Sequence, residues 1–263
     1  MALKPVESRR LYRQIAEQLR ELIDNGQYPI GGRLPSERDL ADSLHVSRPS
    51  IREALIALEV EGLVRINVGS GIYVLGTTAS DSGRSAGDIP SEGSFEVLHA
   101  REVVESSLAA EAAPLAGPQH IAELDRILLR MEQCEGRNDN WIALDREFHV
   151  TLAGILENGV LVRFIGELFD LRINPYFERL ASYFEDASTW RQALAEHRLI
   201  RDAIASGDAG SARSAMKNHL RLSQERFSRS FSETAAPSKA PPVLRTLTAN
   251  PHEFNTKTRR KLK

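Results

Sequence analysis

Eighteen consecutive residues, TTASDSGRSAGDIPSEGS at 77–94, carry almost no large apolar side chain. Such a run cannot bury enough surface to offset its ordering entropy, so whatever folds must fold on either side of it. The chain is therefore expected to form two units, 1–76 and 94–232, joined by a linker over 77–93. From Ser232 onward, SETAAPSKAPPVLRTLTANPHEFNTKTRRKLK has four prolines, no period and a basic end. That composition predicts a disordered basic tail over 233–263.

The two units are patterned differently. In the leading one, LYRQIAEQLRELIDNG is amphipathic and stops at Gly26. LPSERDLADSL follows, with Ser36 and Asp39 spaced as a capping box. SRPSIREALIALEVEG has Ser47 as its N-cap, Pro49 in the first turn and Gly62 at its end. LVRI and IYVL, joined by NVGSG, then read as a hairpin. Three helices and a small hairpin are the order of a winged helix-turn-helix. In the following unit apolar residues recur at three and four, with breaks near Gly117-Pro118, Gly136 to Asn140, Asn158-Gly159, Asp186 to Thr189 and Gly207-Asp208. Those five breaks predict about six helices in an all-helical bundle, making the chain mainly α.

Charge is uneven. Residues 1–76 hold ten basic and ten acidic side chains, 77–233 seventeen and twenty-five, and 234–263 seven and one. Any basic surface on the leading unit must come from placement. On its third helix Arg48 and Arg52 are four apart and share a face, opposite the stripe Ile51, Leu55, Leu58. Arginine can span two guanine acceptors or grip a phosphate. Ser47 and Ser50 add hydroxyls at a helix start that attracts phosphate, and Arg38 sits one turn into the preceding helix. Arg33 and Arg65 are candidate phosphate contacts, and Gly69, Ser70 and Gly71 form a turn able to approach a minor groove. Each arginine alone is better read as a solvated charge; their convergence favours double-stranded DNA, with Glu53 and Glu59 turned away from it.

The bundle raises a metal question. In LDREFH, Asp145 and His149 are four apart, about 400° of helix, and share a line with Trp141 and Leu152. A buried Asp/His couple by itself is more often a satisfied hydrogen bond than a metal site. Two further histidines shift the balance: His197 lies in the stripe Leu194, Ile200, Ile204, and His219 in the stripe Ala212, Met216, Leu220. Burying an unsatisfied imidazole costs on the order of a few kcal/mol, so the four donors are expected to share a divalent cation. Zinc comes first, with nickel, manganese or iron as alternatives. His45, His99, His120 and His252 show no convergence and read as structural or solvated. Cys134 is the only cysteine, which excludes a thiolate cluster. Arg101 also interrupts an apolar stripe, Val97, Val104, Leu108, and needs a carboxylate partner. Glu105 and a ligand acid are both open, and the ligand is the reading preferred here.

The run G-x-R-L-P-S-E-R-D-L-A, then V-S-R-P-S-I-R-E-A-L-x-x-L-E-x-E-G-L-V, then G-S-G-I-Y-V, resembles the DNA-binding domain of the GntR family of bacterial transcription factors. The resemblance implies DNA contact by Arg38, Ser47, Arg48, Ser50, Arg52 and the wing around Gly69 to Gly71. F-E-V-L-x-A-R-x-V-V-E, D-x-x-F-H, E-H and N-H-L resemble the FCD ligand domain of the FadR branch in its metal-binding form. That implies Asp145, His149, His197 and His219 as metal ligands. G-I-Y-V-L, F-E-V-L-x-A-R and R-x-N-P-Y-F are similar to the hexuronate-responsive UxuR and ExuR type, which adds Arg172 and Asn174 to Arg101 as effector-pocket residues. The expectation is a cytoplasmic homodimeric repressor, not an enzyme and not a membrane protein, released from operator DNA by a small organic acid. A metal-dependent enzyme fused to a DNA reader and a regulator with a purely structural metal are the rivals. No HExxH-type pairing is present, and Glu147 falls on the far face from Asp145 and His149.

Overall fold

Local sequence chemistry sets the leading unit of this computed structural model, which describes residues 11–76, 92–134 and 139–229. Helix α1 (Leu11–Asp24) buries Tyr12, Ile15, Ala16, Leu19 and Ile23, one amphipathic face, and the chain turns at Gly26 in the left-handed region. Helix α2 (Glu37–Leu44) starts on the expected capping box, with Ser36 and Asp39 exchanging hydrogen bonds. It ends on His45, itself left-handed at φ 54°. Helix α3 (Arg48–Val60) starts with the Ser47 side chain accepting from the Ser50 amide. Strands β2 (Val64–Asn67) and β3 (Gly71–Val74) form the wing. Gly69, at φ 74°, turns the chain between them, and the Ser70 amide closes on the Asn67 carbonyl at 2.9 Å.

A two-residue strand β1 (Arg33–Leu34) adds to the far edge of β3, so the antiparallel sheet runs β1-β3-β2. Sequence reading missed it, because two residues carry no period and are extended only by pairing with Tyr73 and Ile72.

The following unit is all helical: α4 (Ser94–Ala112), a 3-10 turn (Ala113–Leu115), α5 (Pro118–Glu132), α6 (Asp139–Gly154), α7 (Gly159–Asp170), α8 (Pro175–Phe184), α9 (Ala187–Ala205) and α10 (Ala209–Ser228). Among the described residues seven α-helices stand where about six were expected. The additional break falls at Leu171 to Asn174. There the Asn174 side chain accepts from the Phe177 amide as N-cap, and Pro175 occupies the first helical turn. Among the described residues no helix is long and apolar enough to cross a membrane. The linker expected over 77–93 lies outside the described residues apart from Glu92 and Gly93, and the tail expected over 233–263 lies wholly outside them.

One hydrophobic core fills the middle of the bundle, with Leu128, Met131, Phe148, Leu152, Ile200, Met216 and Leu220 among its members. Another is shared between units. Leu19, Ile51, Leu55 and Ile66 of the head are continuous with Val97 and Leu98 of α4, Tyr176, Leu180 and Phe184 of α8, and Phe227 of α10. As a result α3 is buried on all sides from Ile51 to Leu58, and only its first turn meets solvent.

Polar groups close this seam. Glu59 accepts from Arg179 Nε and Nη2 at 2.8 Å each, from the Tyr183 hydroxyl at 2.8 and 2.9 Å, and from the Ile66 amide at 2.8 Å. Glu53 accepts from the Ser94 hydroxyl at 2.7 Å and the Phe95 amide at 3.3 Å. Helix α4 has no side-chain cap of its own, so a carboxylate from α3 satisfies its first amides and complements its dipole. Gly93 permits the approach: a Cβ there would stand 2.9 Å from Glu53 Oε1. Glu53 and Glu59 thus face the bundle.

Candidate metal centre and effector pocket

Asp145 and His149 rise from α6, His197 from α9 and His219 from α10, and one ligand atom of each lies within 4.8 Å of the others. Asp145 Oδ1 is 3.1 Å from His197 Nε2 and 3.4 Å from His149 Nε2, and the two imidazole nitrogens are 3.3 Å apart. Atoms so spaced can each stand about 2 Å from a common centre, the distance of zinc to nitrogen or oxygen. All three histidines are buried.

Their outer nitrogens support this fit. Glu105 pairs with His149 Nδ1, and Glu196 lies 2.8 Å from His219 Nδ1. A carboxylate behind an imidazole fixes its tautomer and leaves the other nitrogen for a cation. Asp145 Oδ1 is buried without a hydrogen-bond partner, so the protein alone does not satisfy the cluster.

Electrostatics sort the donors. Burial opposes charge on Asp145, yet His149 and His197 beside it hold its carboxyl well below the ordinary aspartate range. Burial pushes His219 well down, helped by the neighbouring imidazoles, and pushes His197 down too, against the pull of Asp145. Both are thereby kept as neutral ligands. On His149 burial is the largest influence and acts downward, but the Glu105 and Asp145 carboxylates together outweigh it and the pKa is raised. Glu105 itself, despite burial, is held down to about 2 by Arg101 and His149.

A cavity of about 50 Å³ opens beside the cluster, lined by Asp145, His219, Arg172, the indoles of Trp141 and Trp190, and side chains of α8 and α10. Arg172 reaches Asp145 Oδ2 at 3.5 Å and lies over the Phe169 ring. Two expectations are corrected here. Asn174 is committed to structure, since its oxygen caps Phe177 and its amide donates to the Leu171 carbonyl at 2.8 Å; it does not line this cavity. Arg101, preferred as a ligand partner, meets a protein carboxylate instead: Nε donates to Glu105 Oε1 at 2.6 Å, and the guanidinium lies over Phe169. One of its nitrogens, Nη2, remains buried and unpartnered.

Sequence reading missed Glu196 and Arg226. Arg226 Nη2 donates to Glu196 at 2.6 and 2.8 Å, and Arg226 also lines the cavity. Glu196 lies beside the apolar stripe of α9, so only the packing of α10 reveals its partner.

On the head, Arg33, Arg38, Ser47, Arg48, Arg65, Gly69 and Ser70 are exposed, and Ser50 and Gly71 half-buried. The Arg33 guanidinium lies against Gly71, where a Cβ would stand. Arg52 departs from the expected exposed face. The side chains of Arg38 and Arg48 are 80% and 48% exposed, whereas that of Arg52 is 0% exposed. Its Nη2 donates to Glu37 at 2.5 Å, its Nη1 to the Phe227 carbonyl, and it lies over the Phe184 ring. The physical reason is the second surface: helical phase does place Arg52 beneath Arg48, but α8 and the end of α10 cover that part of α3.

The family model described as bacterial regulatory proteins, gntR family, matches residues 11–74, and the FCD domain model matches 96–222. The Uxu operon regulator of Haemophilus influenzae is 37% identical over 212 residues, 80% of this chain and 79% of that protein. The Exu regulon transcriptional regulator of Escherichia coli K12 is 37% identical over 222 residues, 81% and 83% of the two chains. Among solved structures, E. coli McbR/YncC aligns at TM-score 0.45 and 21% identity, over 83% of this chain and 97% of that one. These relatives in sequence are regulators rather than enzymes, and the chain belongs to the GntR family of bacterial transcriptional regulators, with a winged helix-turn-helix head and an FCD domain.

Proposed function

We propose that this regulator is a cytoplasmic homodimeric repressor released from operator DNA by a small organic acid, a hexuronate or related sugar acid, bound beside a divalent ion in the FCD domain. The likeness to the Uxu and Exu regulators supports that effector class. Two heads would meet the half-sites of an inverted repeat, each presenting Arg38, Ser47, Arg48 and Ser50 with the wing at Gly69 to Gly71, and with Arg33 and Arg65 at phosphates. Asp145, His149, His197 and His219 would hold the ion, zinc first and nickel, manganese or iron as alternatives. Its open positions supply a Lewis-acidic seat for the acid's carboxylate. Arg172 lines the same cavity and supplies the complementary charge.

The observation that carries this reading is a shared wall. Phe177 and Ala181 of α8 line the cavity, while Arg179 and Tyr183 of the same helix hold Glu59 of the head. Phe227 lines the cavity too, and its carbonyl accepts from Arg52. A cavity of about 50 Å³ has room for a few waters, not for a six-carbon acid. An acid held wholly inside therefore displaces a wall, and two of the walls, α8 and the end of α10, are those on which the head rests. Arg52 is inaccessible to DNA while Phe227 and Glu37 hold it, so operator and seam compete for its guanidinium. An acid that binds the DNA-free arrangement more tightly shifts the equilibrium toward release by its difference in affinity.

Titrating hexuronates against operator binding and metal content of the full-length protein tests this. Release of DNA by the metal-loaded protein, and none from protein stripped of metal, is the expected result. DNA binding indifferent to every acid points to a structural metal, and turnover of the acid points to an enzyme; either outcome overturns the proposal.

A further inference from the structure

We propose that Trp190, with Trp141 stacked beside it, is the specificity element of the pocket. In this view the indole N–H of Trp190 reads a hydroxyl of the acid, so the site takes polyhydroxylated acids and rejects plain carboxylic acids of equal length. The inference rests on the acid-sensing reading above and specifies what the pocket distinguishes.

Trp190 is 7% exposed, lines the cavity, and its Nε1 has no hydrogen-bond partner among the described residues. An unsatisfied buried N–H costs roughly 1–3 kcal/mol. Phenylalanine would fill an apolar wall without that cost, so the donor is explained by a partner that arrives with the ligand. Trp141, 9% exposed, stacks on it at 5.6 Å between centroids and 28° between planes.

Both rings extend lines of metal ligands. Trp141 precedes Asp145 by one turn of α6, an axial rise of roughly 6 Å. Trp190 precedes His197 by two turns of α9. An acid whose carboxylate is seated by the cation site and Arg172 would run its carbon chain toward the indoles. Indole faces accept the C–H face of a sugar, and the N–H takes a hydroxyl. Discrimination of this kind is strong because a ligand lacking the hydroxyl leaves the donor buried and unpaired.

The test uses zinc-loaded full-length protein and two probes, D-galacturonate and hexanoate, by isothermal titration calorimetry. Wild type is expected to bind galacturonate at least tenfold more tightly. Trp190→Phe, which keeps the ring and deletes the N–H, should weaken galacturonate about tenfold while leaving hexanoate affinity and zinc content unchanged. Equal affinity of wild type for the two probes overturns the proposal without recourse to any variant. So does a variant that binds galacturonate as wild type does, or one that loses both probes alike. Wild type that binds neither acid overturns the acid-sensing reading along with it.

Discussion

The metal cluster and the head–bundle seam are both buried groups of charged side chains, and they differ in whether the protein satisfies them. At the seam Glu59 has Arg179, Tyr183 and the Ile66 amide, and Glu53 has Ser94 and the start of α4. In the cluster Asp145 Oδ1 is unpartnered, and three imidazoles converge on one carboxylate. A buried polar group left unpaired is costly, so the two seam glutamates are satisfied as they stand and the cluster implies an addition. Mutations in one region should cost folding, and in the other, occupancy.

The largest effect expected is total. His197→Ala with His219→Ala should abolish metal uptake, measured by elemental analysis, and the acid response with it. Operator binding should persist, because neither side chain supports the head. A double variant that unfolds would place the cluster with the seam and erase the distinction.

Glu59→Ala probes the other side. Removing one partner of a buried pair costs about 3–5 kcal/mol, with the lower end expected here because the Arg179 side chain is 26% exposed. Denaturant unfolding should show that loss with metal content unchanged. Arg52→Ala, which removes the nearest cation from the buried Glu37 and the donor to the Phe227 carbonyl, should destabilise by about 3 kcal/mol as well. Arg48→Ala, one turn away and half-exposed, should leave stability alone and weaken operator binding by about 1–3 kcal/mol if it grips a base. An Arg52→Ala protein of wild-type stability would show that the seam contributes little.

The same contrast explains what was legible in the sequence. His149, His197 and His219 are polar where each helix's own period demands an apolar residue, so a single helix at a time exposes them. The caps at Ser36 and Ser47 and the turn at Gly69 are equally local. Arg52, Glu53, Glu59 and Arg179 lie on faces that look solvated within their own helices, and only a second unit packed against α3 buries them. Periodicity reports how a helix faces one core and says nothing of a second. The break between α7 and α8 is local too: Asn174 followed by Pro175 is a cap and a first helical turn.

The smallest effect distinguishes orientation from ligation within the cluster. Glu196 stands between His219 and Arg226, so its carboxylate both sets the imidazole and balances the guanidinium. Glu196→Gln keeps the shape and a hydrogen-bond acceptor while removing the charge. Partners of this kind are worth 10–100-fold in metal affinity, and the lower figure is expected, because Glu105 still orients His149 and Asp145 keeps its negative charge in the cluster. A chelator competition should show zinc bound about tenfold more weakly, with operator affinity in the absence of acid unchanged. An unaltered zinc affinity would mean that packing alone holds His219. A complete loss would mean that the cluster depends on its backing carboxylates as fully as the seam depends on Glu59, and the contrast between the two regions would then be one of degree.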